Sequence, residues 1–163
     1  MLRDLITSVR QNHALEHATI HLLSRRNPGV RLAGRSSPSG FTIVGSLSTE
    51  EVADAAAEAM ARLQGGEAHL AVHPSCGTNV VVTGVLVGLA AFAAGFAGPR
   101  SRWERLPQVL LAATVAALVA QPLGLVTQER ITTTPDVHGV CLSAISRRQQ
   151  GRLVVHRLAV GRR

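Results

Sequence analysis

The residues best suited to chemistry in this chain stand at Asn12–His21, in the order N-H-A-L-E-H-A-T-I-H. On a helix His13 and His17 project from one face about one turn apart, and Glu16 flanks that face. Two imidazoles at this spacing can hold one divalent metal, and a carboxylate beside them can take a proton from metal-bound water. A second group lies at His73-Pro74-Ser75-Cys76-Gly77-Thr78. An imidazole and a thiolate three residues apart in a Pro/Gly turn can face one point, and both are donor types that zinc prefers. The expected metal ligands are therefore His13, His17, His73 and Cys76, with zinc as the expected cofactor. Glu16 would be either a fifth ligand or the catalytic base. His21 extends the His13/His17 stripe by a turn, but with His69 it reads as an ordinary histidine. Cys141, inside an apolar strand pattern, reads as core, and His138 and His156 are given no role.

The helix that must carry the first motif spans residues 2–26. Leu2, Leu5, Ile6, Val9, Leu15, Ala18, Leu22 and Leu23 recur close to helical periodicity. Asn27-Pro28-Gly29 stops it. Val30–Arg35 and Phe41–Leu47 read as strands joined across a Ser/Pro/Gly turn. Ser48 and Glu51 have capping-box spacing and open a second helix, ended by Gly65-Gly66. The alternation His69-Leu70-Ala71-Val72-His73 reads as one more strand. Residues 1–79 thus form an α-β-β-α-β segment. After residue 127, Gly139–Ser146 and Arg152–Val160 read as a second hairpin that completes the sheet.

Between these parts the chain changes solvent. Val80–Gly98 holds no charge and Thr83 as its one hydroxyl, and Pro107–Val126 is nearly as apolar. Each is about the ~20 residues needed to cross a ~30 Å hydrocarbon core, and so small a chain has no core able to wrap two such helices. Residues 80–126 are therefore expected to be a transmembrane hairpin. Gly84-x-x-x-Gly88 and the alanines at 112, 113, 116, 117 and 120 suit close helix packing in lipid. The fold class is α+β, a small soluble domain with an inserted two-helix transmembrane hairpin.

The 163 residues carry a formal charge of +7, and all 17 basic residues are arginine. An anionic membrane surface or an acidic partner fits that balance. Nucleic acid does not: three Phe, one Trp and no Tyr are too few for a base-stacking platform. Two cysteines make no disulfide framework, and no apolar core of signal-peptide type occurs near the N-terminus. Sidedness is contested. Arg100, Arg102 and Arg105 in the loop 99–106 place that loop in the cytoplasm by the positive-inside rule, whereas export of about 75 preceding residues without a signal is uncommon. The second argument, with the other 14 arginines lying against anionic lipid, puts the domain on the cytoplasmic side of the cell membrane.

The combination of His13-Ala14-Leu15-Glu16-His17, His73-Pro74-Ser75-Cys76-Gly77-Thr78 and Arg130-Ile131-Thr132-Thr133 resembles an uncharacterised bacterial integral-membrane family, domain of unknown function 6391. It is more distantly similar to YqhQ-type membrane proteins. The resemblance covers residues 12–136 and implies a membrane protein with a His/Glu/Cys constellation; it supplies no activity. H-x-x-E-H also occurs in the inverzincin peptidases, which are much larger and add a downstream acidic ligand. Glu50, Glu51, Asp54 and Glu58 offer that residue type, but no spacing singles one out, and the chain is not assigned there.

Two main functions follow. In the first, a membrane-anchored zinc protein performs hydrolase- or peptidase-like chemistry at the membrane surface, with Glu16 as base. In the second, the His/Cys cluster is a closed structural or sensing site in a non-catalytic membrane protein. A third reading has no metal and makes the chain an accessory subunit. Expected partners are the lipid bilayer, anionic headgroups or a membrane protein, with a homo-oligomer compatible with the small-residue helix faces.

Overall fold

A computed structural model describes residues 2–97, 101–151 and 153–162, without the side chains of Arg102 and Gln150. The expected end of the first span at Gly98, the loop residues Pro99 and Arg100, and Arg152 at the start of the last expected strand lie outside the described residues. The chain divides into two compact units, Met1–His73 with Glu129–Arg163, and Pro74–Gln128.

The first unit is α+β. Helix α1 (Leu2–Arg26) leads into strands β1 (Ala33–Ser37) and β2 (Gly40–Val44), helix α2 (Thr49–Gln64) and a 3-10 turn at Ala68–Ala71. Strands β3 (Val140–Gln150) and β4 (Leu153–Arg162) close it. The four strands make an antiparallel sheet in the order β1-β2-β4-β3, so the C-terminal hairpin joins the N-terminal one through β2 and β4, with Ile43 opposite His156. Leu15 and Leu23 of α1, Val52, Ala56 and Ala59 of α2, Phe41 and Ile43 of β2, and Leu158 of β4 are buried in one apolar cluster. Full burial stabilises each large side chain here by about 1.5–3 kcal/mol. Ser48 caps α2 as its spacing predicts: its hydroxyl accepts from the Glu51 amide at 3.1 Å, and the Glu51 carboxylate accepts from the Ser48 amide at 2.9 Å.

Three local outcomes differ from the sequence reading. His69–His73 does not make a strand; it holds the 3-10 turn. Leu70 and Ala71 are both buried although adjacent, which a strand facing one layer could not achieve. The first hairpin lies nearer its turn than expected, because Ser37 pairs directly with Gly40 and Gly40 takes φ 145°, open to glycine. The second hairpin is longer than expected, since Arg147–Gln149 continue β3 and Gly151 at φ 62° makes the reversal. Those polar residues lie on an edge strand, where charge guards against pairing with other chains.

The second unit contains α3 (Gly77–Ala97) and α4 (Arg102–Thr127). Both helices are long and apolar enough to cross a membrane. Within the chain their close approach is at Gly124: among the described residues no heavy atom lies within 4 Å of a Cβ placed on Gly84 or Gly88, whereas one on Gly124 would stand 3.0 Å from Cγ of Asn79. The alanine face of α4 is the better-buried one, with Ala120 fully buried.

Candidate functional site

The expected histidines come together in the first unit. The rings of His13 and His17 have centroids 4.3 Å apart, those of His17 and His73 5.9 Å, and those of His21 and His73 4.5 Å. His17 is buried; His13, His21 and His73 are half-buried. Helix α1 supplies three of the rings at i, i+4 and i+8, and the chain after the 3-10 turn supplies the fourth. His21, read from sequence as ordinary, belongs to the cluster. The i+4 continuation of the stripe was the signal for it.

Backbone carbonyls orient these rings. Nδ1 of His17 donates to the Ala71 carbonyl at 2.8 Å, and Nδ1 of His13 donates to the Thr132 carbonyl at 3.0 Å. A carbonyl oxygen only accepts, so each Nδ1 carries the hydrogen, and in the neutral form of either ring the lone pair is on Nε2. His21 is set the other way, Nε2 donating to the Val72 carbonyl at 2.8 Å. Burial, followed by the neighbouring His21 and His17, lowers the pKa of His73 to about 4, so this ring is neutral at pH 7.

Thr132 lies in the Arg130-Ile131-Thr132-Thr133 motif, and Arg10 holds that segment against α1. Its guanidinium donates to the Thr133 carbonyl from Nε at 3.1 Å and Nη2 at 2.8 Å, and to the Arg130 carbonyl at 3.1 Å. The third of the three sequence motifs thus supplies the carbonyl that orients His13. No side-chain pattern could reveal this, because the interacting group is backbone.

Glu16 is buried at 6 % exposure. Its side chain packs over Gly34 of β1, where a Cβ would overlap Oε1. Two of the four acidic residues of α2 have other attachments: Glu51 is in the cap, and Glu58 pairs with Arg26 and with Arg62.

Cys76 stands near the start of the second unit and is buried. Its Sγ accepts from the Thr78 amide at 3.4 Å and its carbonyl from the Asn79 amide at 3.0 Å, as a cap of α3. The Asn79 side chain donates to the Pro74 carbonyl at 2.6 Å and accepts from Gln128 Nε2 at 2.7 Å. The Pro74–Asn79 turn is therefore fixed from within. Cys141 is half-buried.

This chain is an α+β protein with a histidine cluster and two long apolar helices. Over residues 8–145 it matches the family described as a domain of unknown function, DUF6391, and it belongs to that family. It is 36% identical over 141 residues to an uncharacterized protein of Picosynechococcus sp., covering 81% of this chain and 68% of that one. No solved structure matches it.

Proposed function

We propose that this chain is a membrane-anchored metal-binding protein. Its ion, zinc by donor type, is held by His13, His17, His73 and Cys76, and Glu16 acts as general base on metal-bound water in a hydrolytic reaction at the membrane surface. The observation that carries the reading is the shared tautomer of His13 and His17, each donating Nδ1–H to a carbonyl. Metal-ligating histidines are oriented in this way, and the hydrogen bond makes the opposite nitrogen a better donor. The neutral state of His73 suits ligation as well. Cys76 follows His73 by three residues, a reach of at most about 11 Å.

The anchor is the pair α3 and α4, long and apolar enough to span, with the soluble part on the cytoplasmic side against anionic lipid. A distant kinship to YqhQ-type membrane proteins belongs to the same proposal. A second reading takes support from the donor set itself. Four N/S ligands complete the tetrahedron of a structural zinc site and leave no position for water, and in that case the ion would stabilise or signal without catalysis.

Metal analysis of detergent-purified protein by inductively coupled plasma mass spectrometry tests the shared premise. About one zinc per chain is expected, lost in His17→Ala and in Cys76→Ser while circular dichroism confirms folding. Absence of stoichiometric metal in wild type purified without chelators would overturn both readings.

A further inference from the structure

The Pro74–Gln128 unit contains a cavity of about 600 Å³, lined among others by Cys76, Asn79, Val80, Thr83 and Gly84 from the start of α3 and by Gln121 of α4. That volume lies within the range of small-molecule sites. From Cys76 to Thr83 it follows α3 for about 10 Å.

The polar groups facing it are unusual for this hairpin. The hydroxyls of Thr114 and Thr127 donate to the carbonyls of Leu110 and Leu123, at 2.8 and 2.7 Å, four residues back. That is the ordinary solution for a hydroxyl on an apolar helix. Among the described residues Thr83 makes no such bond, and the Gln121 amide has no partner either. Asn79 beside them is fully engaged by Pro74 and Gln128. A half-buried hydroxyl and an exposed amide, one from each helix, thus line one cavity, and in a hydrocarbon environment such groups are costly to leave unmatched. Gly84 leaves open space between them.

We propose that this cavity binds the acyl-ester neck of a membrane glycerolipid. The inference rests on the reading that α3 and α4 cross the bilayer. The polar zone of a bilayer is roughly 5–8 Å deep on each side of its ~30 Å hydrocarbon core. A cavity running about 10 Å down from the start of a spanning helix therefore reaches from headgroup depth to the first acyl carbons. The ester carbonyls accept from the Thr83 hydroxyl and the Gln121 amide, the exposed Val80 flanks the headgroup side one turn above, and Gly84 leaves room for the first acyl carbons.

The full chain is reconstituted in phosphatidylcholine vesicles doped with a phosphatidylcholine bearing a diazirine beside the acyl carbonyl, irradiated, and mapped by peptide mass spectrometry. Labelling is expected to concentrate on residues 76–84 and around Gln121. Thr83→Val should lower it about fivefold, the worth of one hydrogen bond. Gly84→Phe should abolish it, while Gly88→Phe, equally free of neighbours and outside the cavity, should not. Labelling spread evenly over outward residues such as Val85, Leu89 and Phe92, and unchanged by Gly84→Phe, would overturn the inference and leave the membrane reading standing. Unchanged labelling with loss of self-association in Gly84→Phe would assign the cavity to a second copy of the chain. A chain released from the vesicles by alkaline carbonate would overturn both readings. Thr83→Val combined with Gln121→Leu keeps the test available if the phenylalanine variant does not fold.

Discussion

The side chain of Glu16 packs over Gly34, where the absence of a Cβ makes the room its carboxylate occupies. A buried carboxylate is costly to maintain unless it is used or well matched. Gly34→Ala is expected to displace it and destabilise the protein by about 1–3 kcal/mol, as overpacking does, measured by chemical denaturation. Glu16→Gln is close to isosteric and should leave metal content unchanged while removing any hydrolytic turnover. Turnover surviving in Glu16→Gln would remove Glu16 from the base role.

The tautomers of His13 and His17 can be read directly. In nitrogen-15 spectra of the metal-free protein near pH 7, both should carry the proton on Nδ1, as the Thr132 and Ala71 carbonyls require. His21 should carry it on Nε2. With zinc at one hundred times its dissociation constant, the folded state should gain about 2.7 kcal/mol by mass action. A chelator should reverse that gain, and a thermal midpoint indifferent to both would argue against an ion bound to the native state.

Much of this arrangement was legible in the sequence because it is carried by periodicity. The face of α1, the Ser48–Glu51 cap and the two apolar helices each repeat over enough residues for a pattern to be distinguishable. What failed was short or made of backbone. Five alternating residues at His69–His73 could not distinguish a strand from a 3-10 turn that buries Leu70 and Ala71 in succession. The carbonyls of Ala71 and Thr132 leave no side-chain signature, although they orient the two central rings. His21 was visible as the next step of the stripe, but its contact with His73 depends on where the turn after α2 returns the chain.

His156 makes stability depend on pH. Its ring is fully buried in β4, Nε2 lies 3.4 Å from the Thr49 hydroxyl, and Nδ1 has no hydrogen-bond partner among the described residues. Burial first, and then the Arg147 charge from β3, lower its pKa, against a smaller opposing effect of Glu50 on α2. The unfolded chain therefore binds a proton near pH 6.5 that the folded chain still refuses. Stability is full above that pH and is lost as pH falls below it. His73 has a lowered pKa of the same sign, so the readout is a difference: His156→Gln should show a shallower loss of denaturation midpoint between about pH 7.5 and 5.5 than wild type. Parallel curves would remove His156 from the account.

Gly124 sets how closely α3 and α4 approach. Its missing Cβ admits Asn79, which in turn holds Gln128 at 2.7 Å and the Pro74 carbonyl at 2.6 Å. A side chain at 124 would push Asn79 away and leave the buried Gln128 amide without the oxygen it donates to. Gly124→Val is therefore expected to be damaging through two effects, overpacking and loss of a buried hydrogen bond, for about 2–4 kcal/mol in sum. Gly88→Val, with no atom within 4 Å to meet, should be nearly neutral. Thermal unfolding in detergent, with both variants beside wild type, measures this. Equal loss in the two would show that the hairpin depends on the Gly84/Gly88 face instead, returning close packing to the place where the small-residue spacing alone puts it.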